Sequence, residues 1–127
     1  MTKKEDVRDL AGAWITQAGI AKDGVKHDGG KLRYGLIPPE ATKALAEVLT
    51  YGSKKYSDNS WQNLPDFDQR YTDALMRHLE AHRSGQVIDP LCEGGSGLPH
   101  LWHVLCNAAF LVWGQQHGVV NAAKDDN

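Results

Sequence analysis

The sequence predicts an all-α fold, a compact bundle of about four helices joined by long loops. Four segments repeat apolar residues at intervals of three and four, and none alternates as a half-buried strand would. Clusters of glycine and proline separate these segments. A chain of 127 residues is about one domain long. We therefore expect one domain over residues 1–127, ending in a frayed tail at 121–127.

The first predicted helix lies within residues 1–20, where an apolar face runs from Val7 to Ala18. A small domain has to bury such a face, so we expect this helix to mediate self-association. Residues 22–39 follow with four glycines and two prolines, a composition typical of a long loop.

The second predicted helix begins at Pro39, because proline is tolerated in the first turn. We expect Gly52 to end or loosen it. A stripe beside its apolar face carries Glu40, Glu47 and Tyr51. The apolar face itself consists of Ala41, Ala44, Leu45, Val48 and Leu49.

The third predicted helix spans residues 68–83, after a polar loop that contains Trp61. Its opposite face carries Asp73, Arg77 and Glu80. The inward side is predicted to hold Tyr71, Ala74, Leu75 and Leu79, together with His78 and His82.

The fourth predicted helix, residues 97–113, places His100, His103 and Asn107 on one stripe. At 100° per residue His100 and Asn107 lie roughly 20° apart and His103 about 60° away, so all three can reach one pocket. Beside this stripe lie the apolar residues Leu101, Val104, Leu105, Ala108 and Val112. The pattern predicts a functional site of polar side chains within the apolar core.

Imidazoles and a carboxylate suggest a divalent-metal site between packed helices. The candidate ligands are His78, Asp89, His100 and His103. Asp89 lies in the loop that leads into the histidine helix. The alternative is that each histidine is a hydrogen-bonded structural residue.

Glu47 and Asp73 are candidates for a general base or a further metal ligand. Each also has an ordinary interpretation. Glu47 fits a solvated helix edge, and Asp73 is four residues from Arg77, a spacing that favours a salt bridge.

Cations that lie near aromatic residues in the sequence are suited to bind a nucleotide, which has both phosphates and a nucleobase. Such cations are, however, usually plain surface residues. Trp61 either stacks on a nucleobase or caps the core. The candidates for phosphate binding are Lys31, Arg33, Lys55 and Arg77. The candidates for the nucleotide pocket are Tyr56, Asn59, Trp61 and Asn107.

Composition excludes several classes of protein. A formal charge of −2 offers no broad cationic surface for duplex nucleic acid. No apolar run reaches the roughly 20 residues of a membrane span, and the first residues lack the apolar stretch of a signal peptide. We therefore expect a cytoplasmic protein whose two cysteines, Cys92 and Cys106, are reduced.

Several motifs between residues 26 and 113 resemble the phage and bacterial dATP/dGTP diphosphohydrolase family, a MazG-like group of all-α pyrophosphohydrolases. They are KHDGGKLRYGLIPPEA, VLTYGSKKYSDNSW, the pair Arg77-His78, and IDP followed by SGLPHLWHVLCNA. The resemblance implies that a purine deoxynucleoside triphosphate, dGTP or dATP, is hydrolysed between the α and β phosphates with Mg²⁺ or Mn²⁺. It also implies a homodimer or homotetramer, in the host cytoplasm if a phage encodes it.

The sequence departs from the wider MazG pattern, in which carboxylates on two helices hold the ions. His100 and His103 stand where that pattern has Glu and Asp, and imidazoles favour Mn²⁺ or Zn²⁺ over Mg²⁺. Alternatively, the histidines orient water and phosphate while Glu47, Asp73 and Glu80 supply the carboxylates. Either way we expect a metal-dependent hydrolase with water as nucleophile.

Two other functions fit the same residues. One is a non-catalytic helical module that binds a nucleotide or a partner protein, with structural histidines. The other is a metal-dependent phosphatase that removes all three phosphates.

Overall fold

The computed structural model of the protein describes residues 24–120. Within them lie three helices, α1 (Pro39–Lys55), α2 (Phe67–Arg83) and α3 (His100–Gln116), and three short 3-10 turns at Tyr34–Leu36, Ser60–Asn63 and Leu91–Glu93. The same residues contain no strand beyond one isolated bridge between Ile88 and Pro99. The all-α prediction is confirmed.

Three of the four predicted helices are therefore present. The first predicted helix, within residues 1–20, lies outside the described residues, as does the tail at 121–127. The predicted self-association depends on that first helix and stays a prediction. No helix among residues 24–120 is long and apolar enough to cross a membrane.

The chain divides into two units between Tyr34 and Gly35. Residues 24–34 of the first unit are all exposed and lack α-helix, as the loop prediction required. Their one turn is closed by the Lys31 N–H, which donates to the Asp28 carbonyl at 3.0 Å. Gly30 adopts a φ of 81° there, a conformation that a side chain would disfavour.

Helix α1 begins at Pro39, as predicted, but it does not end at Gly52. It continues for one turn to Lys55, and the Tyr56 N–H donates to the Gly52 carbonyl at 2.8 Å. Ala44 and Val48 are buried on its inner side. Leu49, predicted to be buried, is 36% exposed because that side of α1 borders an open groove.

Helix α3 is the central helix of the second unit, since it packs against both α1 and α2. Its buried residues are His100, His103, Cys106, Asn107 and Gly114. Leu101 and Val112, predicted to lie beside that stripe in the core, are 47% and 59% exposed. The polar stripe thus occupies the centre of the packing.

Helix α2 contacts α3 along one face only, which corrects two predictions. Leu79 is 38% exposed and His82 is exposed, although both were expected to face inward. Both lie in the last turns of the helix, where their side of α2 is exposed among the described residues of the second unit.

An aromatic cluster joins the loop before α2 to helices α2 and α3. The Trp61 ring stacks on Phe110, with centroids 4.2 Å apart and planes 14° apart, and meets Trp113 edge-on at 5.0 Å. Phe67, only 3% exposed, packs edge-on against Tyr71 at 4.7 Å. The Tyr71 hydroxyl donates to the Trp61 carbonyl at 2.9 Å, which anchors the loop to α2.

Two helical glycines should respond in opposite ways to replacement by alanine. A Cβ at Gly52 meets nothing within 4 Å, whereas one at Gly114 would lie 2.6 Å from Phe67 Cε1 and 2.8 Å from Val120 Cγ2. Gly52→Ala should therefore raise the free energy of unfolding by about 0.5–1 kcal/mol. Gly114→Ala should lower it by about 1–3 kcal/mol through overpacking. Urea denaturation of both variants measures the difference, and an unchanged midpoint for Gly114→Ala would contradict the packing described above.

Candidate functional site

A groove of about 1000 Å³ opens in the second unit between the end of α1, the loop that follows it, α2 and α3. This volume is at the upper end of the range typical of small-molecule sites. Its lining includes three cations, Lys54, Arg70 and Arg77, and two acids, Asp58 and Asp73. The groove therefore offers mixed charge to a ligand.

Two histidines from different helices stack where α2 and α3 meet at the groove. His78 of α2 and His103 of α3 have ring centroids 4.4 Å apart and planes only 12° apart. Tyr51 of α1 meets the His103 ring edge-on at 6.4 Å. All three residues line the groove, so the stacked pair is accessible to a bound ligand.

The loop between α2 and α3 contacts His103 through Ser96 and Asp89. The Ser96 hydroxyl lies 2.6 Å from His103 Nε2 and 3.2 Å from Asp89 Oδ2. The Ser96 backbone N–H also donates to Asp89 Oδ2, at 2.9 Å. Because the carboxylate only accepts, the hydroxyl links it to the imidazole, and the carboxylate itself lies 3.8 Å from His103 Nε2.

Gly95 leaves room for this arrangement. A Cβ at this position would overlap the Asp89 carboxylate and lie 2.8 Å from the Asp89 backbone carbon. The loop can hold Asp89 beside Ser96 only because residue 95 has no side chain.

His78 has a second contact, to the buried His100. The Nδ1 atoms of the two rings are 2.8 Å apart, so one ring donates a hydrogen bond to the other. On its far side, His100 Nε2 lies 2.8 Å from Gln86 Oε1. These three side chains form a continuous hydrogen-bonded row from the loop to the groove.

Burial keeps the two stacked histidines neutral. Burial and, to a lesser extent, the neighbouring His103 lower the pKa of His78 to about 4, while Asp89 opposes the shift. Burial likewise lowers the pKa of His103 against the attraction of Asp89. For Asp89, burial raises the pKa, but the Ser96 backbone hydrogen bond and the nearby His78 outweigh it and lower the pKa overall. At neutral pH each stacked ring carries one unprotonated nitrogen.

Asn107 presents a buried amide at the groove. It is 7% exposed and lies one turn beyond His103 on α3. Its Nδ2 donates to the His103 carbonyl at 2.7 Å, which fixes the orientation of the amide because a carbonyl only accepts. Among the described residues, Oδ1 has no hydrogen-bond partner and is available to a ligand donor.

The structure brings together most of the residues that the sequence singled out. Eight of them line the groove: Tyr56, Asn59, Trp61, Asp73, Arg77, His78, His103 and Asn107. His100 and Asp89 lie behind the stacked histidines. Their roles in binding or catalysis stay predictions.

Other candidates are not in the groove lining. Glu47 accepts a hydrogen bond from Lys43 at 2.5 Å on an exposed edge of α1. Lys55 projects over the rings of Tyr51 and Tyr56, at 5.8 and 5.3 Å. Lys31 and Arg33 are exposed residues of the first unit. The salt bridge considered between Asp73 and Arg77 is absent from the ion pairs of residues 24–120.

The four predicted metal ligands cluster, but their donor atoms face one another. Across residues 24–120, no three His, Cys, Asp or Glu side chains form a group that could hold an ion. His103 Nε2 is taken up by Ser96 and His78 Nδ1 by His100. The side chains therefore do not fit a metal cage built from protein ligands alone.

Four residues of this site are not among the final candidates from the sequence, although Lys54 is one of the cations that lie near aromatic residues there. Lys54 rather than Lys55 lines the groove, a shift of one residue or 100° around α1, and Arg70 lies two turns before Arg77 on the same face of α2. Helical spacing from Asp73 and Arg77 could have found Arg70. Ser96 and Gln86 carried no such signal, because a loop has no fixed periodicity.

An all-α unit with a groove between its helices, lined by cations, aromatic rings and histidines, is typical of helical proteins that bind a small anionic molecule. The chain belongs to the dATP/dGTP diphosphohydrolase family, whose N-terminal family model matches residues 21–124.

A curated relative has the same name. The chain is 36% identical over 91 residues to a dATP/dGTP diphosphohydrolase of Salmonella phage PMBT28. The match covers 71% of this chain but only 29% of the relative. No solved structure matches the chain.

Proposed function

We propose that the protein hydrolyses a purine deoxynucleoside triphosphate, dGTP or dATP, to the monophosphate and pyrophosphate in the presence of a divalent metal ion. The observation that carries the proposal is the stacked pair His78 and His103 at the groove, neutral and held from behind by the loop between α2 and α3. Family membership supports the choice of substrate.

The cations of the groove suit the triphosphate. Arg70 and Arg77 lie on one face of α2, and Lys54, in the last turn of α1, also lines the groove. Guanidinium and ammonium groups neutralise phosphate oxygens and stabilise charge that develops on a leaving pyrophosphate. The triphosphate would thus lie across the groove beside the two histidines.

His78 is the candidate general base. Its pKa of about 4 leaves it unprotonated at neutral pH. Its Nε2 would accept one proton from a water molecule while the water oxygen bonds to the α-phosphorus. The bond from the α-phosphorus to the oxygen bridging to the β-phosphate breaks, and pyrophosphate leaves with that oxygen.

We propose that the protein supplies only part of the ligands of the metal ion. Mg²⁺ and Mn²⁺ are commonly bound by one or two carboxylates together with substrate phosphates, which does not require a complete protein cage. Asp73 is the predicted carboxylate that lines the groove, and it would be the protein ligand. When bound, the ion would neutralise phosphate charge and lower the pKa of the attacking water.

The base would be read by the buried amide of Asn107. Its free Oδ1 accepts a hydrogen bond from a donor on the edge of the base, and the remaining Nδ2 proton can be donated to an adjacent acceptor. Adenine presents such a pair at N6 and N7, and guanine presents donors at N1 and N2. A buried amide left unpaired by the wrong base would weaken binding.

Incubation of the full chain with each common dNTP and NTP, with Mn²⁺, Mg²⁺ or EDTA, tests the proposal. We expect a purine dNTP to give monophosphate and pyrophosphate, separable by ion-exchange chromatography, and EDTA to abolish the reaction. Nucleoside plus released phosphates would identify a phosphatase instead. Intact nucleotides in every condition would contradict catalysis and favour the binding module.

A further inference from the structure

Gln86 lies outside the groove, yet a row of hydrogen bonds connects it to the ring of His78. Its Oε1 is 2.8 Å from His100 Nε2, and His100 Nδ1 is 2.8 Å from His78 Nδ1. The middle member, His100, is only 5% exposed, so water has little access to its ring. Neither Gln86 nor His100 lines the groove.

The chemistry of the row sets the direction of every hydrogen bond in it. An amide oxygen only accepts, so His100 Nε2 carries a proton and donates it to Gln86. A neutral imidazole has one N–H, so His100 Nδ1 is bare and accepts from His78 Nδ1. His78 therefore carries its proton on Nδ1, and its Nε2 presents a lone pair.

We infer that Gln86 is a positioning residue that acts through His100 and fixes the tautomer in which His78 Nε2 is a proton acceptor. The inference rests on the proposed function, in which that nitrogen accepts a proton from water. Among residues 24–120, His78 Nε2 has no hydrogen-bond partner, so nothing else in that range determines which nitrogen is protonated. Turning the Gln86 amide over would reverse every donor in the row and turn Nε2 into a donor.

Two substitutions at Gln86 distinguish the effect of its hydrogen-bond acceptor from the effect of its side-chain size. Gln86→Glu keeps an acceptor of similar length and removes the amide donors, so it should hold the row in the same direction. Gln86→Met keeps an unbranched side chain of similar length and removes the acceptor. Since Gln86 is exposed, neither change should unfold the protein.

The direct measurement is the tautomer of His78 in the ¹⁵N-labelled full chain without substrate or metal, read from two-bond ¹H–¹⁵N correlation spectra. A His78→Gln spectrum assigns the ring. We expect the Nδ1–H form in the wild type and in Gln86→Glu, and a shift toward the Nε2–H form in Gln86→Met. An Nε2–H ring in the wild type, or a His78 tautomer unaffected by Gln86→Met, would overturn the inference.

Kinetics supply the second readout. Gln86→Met should lower kcat roughly 10-fold with KM within about twofold, because neither Gln86 nor His100 lines the groove, and Gln86→Glu should restore kcat. Equal loss in both variants would argue against a role as acceptor. A wild type that hydrolyses no nucleotide but shows the expected tautomers would refute the proposed function and leave the hydrogen-bonded row intact.

Discussion

His78→Ala should lower kcat for the purine dNTP about 100-fold or more, the range expected for loss of a general base. The variant removes both the proton acceptor at Nε2 and the ring that stacks on His103. Because His78 is half-buried rather than fully enclosed, the fold should survive. Steady-state kinetics under saturating metal, with circular dichroism as a check on folding, measure the effect.

Helix α2 offers a matched control one turn away. His82 is exposed, and its side chain makes no hydrogen bond, ion pair or ring contact among the described residues, so His82→Ala should keep kcat within about twofold. His103→Ala should lower kcat as His78→Ala does, by at least about 100-fold, because the stacked pair acts as a unit. Near-normal turnover in both His78→Ala and His103→Ala would show that the chemistry lies elsewhere.

Much of the fold follows from periodicity. The start of α1 at Pro39 and the placement of Asn107, His100 and His103 on one buried stripe could be predicted, because side chains three, four and seven residues apart share a helix face. Periodicity also misled at Leu101 and Leu79. An apolar residue is buried only where another element covers it, and the covering elements are a tertiary property.

The residues of the site could be predicted better than the hydrogen bonds that join them. Residue chemistry singled out His78, His103 and Asp89, and the structure clusters them. That Ser96 contacts His103 Nε2 and that Gln86 contacts His100 behind His78 depends on the path of an irregular loop. Neither spacing nor composition encodes that path, so the hydrogen-bonded network that joins these residues could not be predicted from the sequence.

Trp61→Ala should destabilise the second unit by about 3 kcal/mol, the lower end for loss of a large aromatic from a core, since the side chain is half-buried. The ring stacks on Phe110 and meets Trp113 edge-on. For a unit of this size the loss corresponds to a fall in Tm of roughly 10–25 °C. Trp61→Phe retains a ring and should lose no more than about 1.5 kcal/mol. Thermal denaturation followed by circular dichroism compares the two variants.

The same pair of variants decides between the two roles that the sequence left open for Trp61. One face of the ring is already occupied by Phe110, and the ring contacts within residues 24–120 connect it to the aromatic cluster. If its role is to close the core beside the groove, Trp61→Phe should keep KM for the purine dNTP within about threefold. A KM raised 10-fold or more at an unchanged Tm would instead show that the base stacks on Trp61 itself, since only the bound nucleotide would then have lost a contact.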